Sequence, residues 1–308
     1  MPYSLAMRRI LAAADIGSNT AHLLIGSYDG QRIRRIRNES VWLSLGEVVS
    51  RTGEIPEILA TELVTTLRNF RIMAAGLQAE SLYVFATEAM RRASNHAALI
   101  ARLATETGIN VEIIPPQREA ELSLAGAALD THLTDPGLFV EVGGGSVQVA
   151  RWFDSHLVEN VSLPLGTGVL TDQLNLAQPC PPQSLQLLDD FVNGLIRAKV
   201  SRVPVMGVIA SGGVARGIWR ALHPDGERRV ALEELDYIRW SAARLPVSQI
   251  ERRFLVKTKR ASTLVPGSAV LSALLRLVRQ NEMVVSEFGV REGAILELYA
   301  GGLSGCRP

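Results

Sequence analysis

The chain has 308 residues, of which 47% are hydrophobic and 20% charged, and its net charge is +1. That length suits two α/β domains of ordinary size. The near-neutral balance excludes a global field for nucleic acid or membrane, so affinity for a polyanion must come from local charge. Two cysteines, Cys180 and Cys306, make neither a disulfide framework nor a metal motif, which fits a reducing cytoplasm. No stretch approaches 18 apolar residues, so no membrane-spanning helix is expected.

In chain order, Arg8-Arg9 precedes Ile10–Ala14, an apolar run too short for a signal-peptide core. Asp15 closes that run, and Asp15-Ile-Gly-Ser-Asn-Thr20 turns tightly into a second apolar stretch that ends at Asp29-Gly30. Pro56 suits the first position of a helix that Gly76 would end, with Ile58, Leu59, Leu63, Leu67, Phe70 and Met73 as its buried face. Leu82–Ala86 reads as a buried strand leading through Thr87 into a helix over Glu88–Arg92. Ser94 is placed as the N-cap of a helix ending near Gly108, and Val111–Ile114 is a strand. After Pro115-Pro116 a helix runs from about Gln117 to Leu129 and links the halves.

The second half opens on Leu138–Val140, closed by Glu141 and followed by Gly143-Gly-Gly-Ser146, another apolar stretch and a turn at Asp154-Ser155. Pro179–Pro182 precedes an amphipathic helix from Gln183 to about Ser201. Val205–Ala210 is a strand entering Ser211, Gly212 and Gly213, then a helix over Val214–Leu222. Residues 223–229 are turn-like, and residues 233–280 read as helical segments broken at Pro246 and at Pro266-Gly267. Met283–Val285 is a last strand before a helix over about Val290–Tyr299.

The order of parts repeats. Each half starts with an acid-plus-glycine hairpin, then has a strand running through a hydroxyl (Thr87, Ser211) into a helix, then a strand and a helix. Two such hairpins can face one another across a cleft. Glycine lets bare N–H groups approach an anion, and an adjacent acid can hold a divalent metal. The expected chemistry is a grip on phosphates, with backbone donors from Gly17, Ser18 and Asn19 and from Gly143, Gly144, Gly145 and Ser146. Gly212 and Gly213 open a helix whose N-terminal N–H groups suit another phosphate. His22, His96, His132, His156 and His223 form no metal-spaced pair, and Trp42, Trp152, Trp219 and Trp240 read as isolated cover for core edges.

Six segments together resemble the exopolyphosphatase/guanosine pentaphosphate phosphohydrolase (Ppx/GppA) family of the acetate kinase–sugar kinase–actin superfamily. They are Asp15–Thr20, Ala86-Thr-Glu-Ala-Met-Arg-Arg-Ala-Ser-Asn95, Val140–Ser146, Ser162-Leu-Pro-Leu-Gly166, Ser211-Gly-Gly-Val-Ala-Arg216 and Arg291-Glu-Gly293. The resemblance implies an α/β fold of two duplicated ribonuclease H-like domains of the actin-like ATPase type with a cleft between them. Residues 1–125 would form the first, with a C-terminal helix over about 290–308 packing back on it, and residues 126–289 the second. It also implies roles. Arg91 would bind phosphate in two-pronged fashion, Glu119 would be the base that activates water, and Asp15, Glu141 and Gln148 would hold Mg²⁺ or another divalent cation.

The chain departs from the family pattern at Pro115-Pro116 (commonly Ser-Gly), Arg118 (commonly acidic), Glu141 (commonly Asp) and Gln148 (commonly Glu). The expected activity is removal of terminal phosphate from inorganic polyphosphate or from guanosine pentaphosphate, the latter a role in the stringent response. Short polyphosphates are favoured because the extra C-terminal domains of the long family members are missing. The alternative is a non-catalytic or weakly catalytic sensor of polyphosphate or guanosine penta/tetraphosphate, which Arg118 and Gln148 would suit. A kinase of the same superfamily is disfavoured by the Ser-Asn turn and the base-bearing helix start. No DNA or membrane partner is expected, and a homodimer is allowed.

Overall fold

The computed structural model describes residues 8–154 and 156–308. Two compact units emerge, one running up to Leu129 and taking in Phe288–Pro308, the other Asp130–Glu287. The division read from the sequence lies at 125 and 289.

The first unit holds β1 (Arg9–Ile16), β2 (Thr20–Tyr28), β3 (Ile33–Trp42), α1 (Leu45–Thr52), α2 (Glu57–Gly76), β4 (Ser81–Ala86), α3 (Glu88–Arg92), α4 (His96–Thr107), β5 (Val111–Ile113) and α5 (Pro116–Ala127). Its sheet runs β3-β2-β1-β4-β5. The first three strands form an antiparallel meander, and β1, β4 and β5 are parallel. Strand alternation splits β1 between two cores. Ala12, Ala14 and Ile16 pack beneath α2 and α4 with Leu63, Leu67, Phe70, Leu99 and Leu103. Leu11 and Ala13 face the other way, against Leu122 of α5.

The second unit holds β6 (Gly137–Val142), β7 (Val147–Phe153), β8 (His156–Leu163), α6 (Thr167–Gln173), α7 (Pro182–Lys199), β9 (Gly207–Ser211), α8 (Gly212–Leu222), β10 (Arg229–Ala231), α9 (Leu232–Ala243), α10 (Val247–Phe254), α11 (Thr258–Leu277) and β11 (Glu282–Val285). The strand order β8-β7-β6-β9-β11 repeats that of the first sheet, with β10 added as an antiparallel edge. The last helix, α12 (Val290–Ala300), belongs to the first unit, where Ala294, Ile295 and Leu298 complete the core over Leu11, Leu24, Tyr83 and Phe85.

Local departures from the sequence reading have physical causes. Strands β3 and β8 carry no apolar run: β3 has no buried residue and β8 only Leu163, so neither gives a core-strand signal. Pro56 is the N-cap rather than the first helical residue, and Asn95 replaces Ser94 as the cap of α4. Thr87 and Ser211 do occupy N-cap positions, but their hydroxyls make no capping bond. The turn at Asp154 has φ +50°, and Ser155 lies outside the described residues.

The expected break at Pro266-Gly267 is corrected, because α11 runs through both residues as one helix. Nearly its whole length from Ala261 to Leu275 is buried, and that packing outweighs a local breaker signal. Gly267 serves contact instead: a Cβ there would stand 2.3 Å from Val214 Cγ1 on α8.

Candidate functional site

The two hairpins share two backbone hydrogen bonds. Gly17 N donates to Thr20 O at 2.9 Å, and Gly143 N to Ser146 O at 2.9 Å. Each turn is then clamped by the segment following the third strand. Gly46 N donates to Ser18 O (2.7 Å), and Gly168 N to Gly144 O (2.9 Å). The approach is close enough that a Cβ on Gly46 would meet Ser18 Cβ at 2.6 Å, and one on Gly166 would meet the Gly144 backbone at 2.4 Å. The turn carbonyls are therefore occupied, whereas the N–H groups of Ser18, Asn19, Gly144 and Gly145 donate to no acceptor among the described residues. Such donors, half-exposed at the ends of strands, are the groups that bind phosphate oxygens.

Asp15, Glu141 and Ser211 lie at the carboxyl ends of β1, β6 and β9, and Thr87 just beyond β4, the end at which open α/β sheets bind ligands. In the first unit Arg91, just beyond β4, is tied down from three sides. It donates to Ile114 O (2.6 Å), to Glu119 Oε2 from both Nη atoms (3.2 Å each) and to Glu88 Oε2 (3.2 Å). Arg91 and Glu119 are 16% and 15% exposed, shielded enough for the pair to be well ordered yet reachable by ligand. Arg118 points elsewhere, pairing with Glu297 of α12 and with Glu121 (3.4 Å). Its place in the chain is thus accounted for by helix-to-helix attachment. Pro115 and Pro116 are the N-cap and first residue of α5, positions proline tolerates.

Asp15 shares a face of β1 with Leu11 and Ala13, the face covered by α12. There Arg291 Nη1 stands 3.4 Å from Asp15 Oδ1, an ion-pair distance without hydrogen-bond geometry. The next residue, Glu292, is 2% exposed, accepts two bonds from Arg35 and takes Gly289 N–H at 2.9 Å. His22, directly across the strand pair from Asp15, contacts Thr20 Oγ1 at 2.7 Å.

In the second unit Ser211, Glu141, Gln148 and Ser162 are register partners across β9, β6, β7 and β8. Paired positions point to one face, so they form a continuous polar row. Gln148 is 3% exposed. Its Nε2 donates to Ser162 Oγ at 3.1 Å, and its Oε1 has no hydrogen-bond partner among the described residues. Gly212, with φ +86°, passes so close to Glu141 that a Cβ would meet its Cγ at 3.0 Å. Glycine is required there on both counts.

An implied divalent cation can be tested against these groups. A buried amide oxygen without a partner, opposite a carboxylate on the neighbouring strand, is a fitting pair of oxygen donors. Asp15 fits less well as a direct ligand, because Arg291 already sits against it. Among the described residues no three His, Cys, Asp or Glu side chains come together as a metal cage, so a cation here would complete its shell with water and substrate oxygens.

The sequence reading missed Arg260. This half-buried arginine of α11 lies over the first turn of α8, so that a Cβ on Gly213 would touch both its Nη atoms at 2.8 Å. Burial, then the nearby charge of Arg220, pulls its pKa below the usual guanidinium value, and no carboxylate bonds to it among the described residues. A signal existed in the sequence: Lys257-Thr-Lys-Arg260 gathers two of the chain's three lysines. Elsewhere in this unit a cavity of about 520 Å³, lined by Thr134, Ile209, Arg228, Gln280 and Val284 among others, contains none of the candidate phosphate, metal or catalytic residues.

Known proteins resemble this chain over nearly its whole length. Exopolyphosphatase 1 of Mycobacterium leprae is 26% identical over 299 residues, covering 93% of this chain and 88% of that protein. The crystal structure of the Aquifex aeolicus Ppx/GppA family member superposes with a TM-score of 0.85 at 22% identity, over 96% of this chain and 99% of that one. An exopolyphosphatase structure from Cytophaga hutchinsonii gives 0.86 at 22% identity, over 97% and 100%. At that identity the structures show a shared fold, with two actin-like domains. A sequence model of the Ppx/GppA phosphatase family matches residues 24–300, and the chain therefore belongs to that family.

Proposed function

We propose that the chain hydrolyses terminal phosphoanhydride bonds of inorganic polyphosphate. The observation that carries this reading is the Arg91–Glu119 pair at 3.2 Å. It sets a two-pronged phosphate ligand against a carboxylate held at the start of a helix. A terminal phosphate drawn to Arg91 competes for the guanidinium and loosens its hold on Glu119. The carboxylate then accepts a proton from water as that water attacks phosphorus in line, and the shortened chain leaves.

Each unit carries further groups suited to phosphate. Ser18 and Asn19 on one hairpin and Gly143, Gly144, Gly145 and Ser146 on the other offer backbone donors. Gly212 and Gly213 present the N-terminus of α8 with Arg260 above it. Glu141 and Gln148 are the oxygens that would hold Mg²⁺, which when bound neutralises phosphate charge. Names of relatives that carry the word exopolyphosphatase support the choice of substrate class.

The deciding experiment measures phosphate release from tripolyphosphate, from longer defined chains and from guanosine pentaphosphate, with and without Mg²⁺. Release from polyphosphate that depends on Glu119 is the expected result. Flat traces for every substrate would replace the hydrolase by a binding protein that senses polyphosphate or an alarmone.

A further inference from the structure

Charge is distributed unevenly along the second unit. From Arg252 to Asn281 the chain has seven basic residues and no acid, although acids and bases are nearly equal overall at 31 and 32. Five of the seven fall within nine residues: Arg252, Arg253, Lys257, Lys259 and Arg260. All but Arg260 are exposed, on the end of α10, the connecting turn and the first turn of α11.

Three of these cations stand at the wrong end of a helix. Lys257 is the N-cap of α11, Lys259 and Arg260 lie in its first turn, and that turn holds no acid. The amino end of a 20-residue helix is already positive, so cations there repel it and one another. Helices ordinarily place acids at this position. Self-repulsion of this kind is relieved by a multivalent anion. The patch also has a direction. It begins at Arg260, which touches Gly213 at the opening of α8, and leads through the turn that carries Leu255, 87% exposed with φ +52°.

We infer that Arg252, Arg253, Lys257 and Lys259 form an outer track for the distal phosphates of a polyphosphate chain that passes the α8 N-terminus. This rests on the polyphosphate reading above and adds chain-length preference to it. A linear polyanion with a charge at every phosphate matches a group of neighbouring cations better than a compact anion does. Short chains end before reaching the track.

The test is the charge-neutralised variant R252Q/R253Q/K257Q/K259Q beside R252K/R253K, which keeps the charge. Each is assayed with tripolyphosphate and with chains of several tens of phosphates, across a salt series. The neutralised protein is expected to keep its KM for tripolyphosphate while KM for long chains rises about tenfold and its salt dependence flattens by several counterions. The lysine variant should behave as wild type. Unchanged chain-length preference in a neutralised variant with native circular dichroism overturns the track. If that variant fails to fold, wild-type KM values for long and short chains that weaken equally with salt overturn it instead. Should wild type release no phosphate at all, the hydrolase reading fails alone, and binding of long-chain polyphosphate by the two variants then decides the track. An RNA oligonucleotide of matched charge binding the patch as tightly as polyphosphate would reassign it to nucleic acid.

Discussion

In the proposed mechanism Glu119 accepts a proton from water, yet Arg91 already holds its charge at 3.2 Å. Replacing Glu119 by Gln therefore removes two things, the proton acceptor and the competitor for Arg91. The expected outcome is a fall in kcat of about 10²–10⁴ with KM unchanged or lowered, read from steady-state phosphate release. Unchanged turnover would remove Glu119 from the mechanism. Gln148 invites the opposite manipulation. Gln148→Glu places a second carboxylate opposite Glu141 at a position 3% exposed. Burial and a like-charged neighbour raise the pKa of the introduced group. A raised folded-state pKa gives stability that is present below the ordinary carboxylate range and lost as pH rises toward neutrality. Without metal at pH 7 the variant should be less stable than wild type by about 1–3 kcal/mol. Mg²⁺ should raise its Tm more than that of wild type. A Tm indifferent to Mg²⁺ in both proteins would place Gln148 outside any metal shell.

At the scale of elements, α5 and α12 cross with almost no space between their backbones. A Cβ on Gly293 would lie 1.9 Å from Leu122 O, and one on Gly126 would lie 2.0 Å from Gly289 O. No side-chain rotation relieves a clash with backbone, so Gly293→Ala should cost about 1–3 kcal/mol or more in urea unfolding; a loss below 0.5 kcal/mol would mean that the helices separate easily. The Arg291-Glu-Gly293 segment thus owes one residue to packing, one to the buried Arg35–Glu292 pair and one to Asp15. The sequence displayed this triplet without revealing that division. What it did display were elements with a strong local signal, the hairpins and the strands entering α3 and α8. Strands β3 and β8, with almost no buried residue, and the unbroken α11 were illegible because edge pairing and burial determine them, and both depend on distant residues. The Arg91–Glu119 pair escaped the spacing for the same reason: 28 residues separate the partners, and only the parallel pairing of β4 with β5 brings their ends together.

Across the whole molecule, the repeated strand order makes the two units comparable, but they are not equally self-sufficient. The second is one continuous segment with its own large core. In the first, Leu11, Leu24, Tyr83 and Phe85 depend for cover on Ala294, Ile295 and Leu298, which come from the far end of the chain. Leaving several large side chains of one sheet face in water forfeits roughly 1.5–3 kcal/mol apiece, comparable in sum to the whole stability of a domain. Residues 130–287 expressed alone should therefore fold cooperatively, as read by circular dichroism and a sigmoidal urea transition. Residues 1–129 alone should aggregate or remain unfolded, and joining residues 288–308 through a flexible linker should restore a cooperative transition. A cooperative transition for 1–129 without that helix would show that the exposed sheet face is tolerated. The return of α12 would then be a feature of chain connectivity rather than a condition for folding.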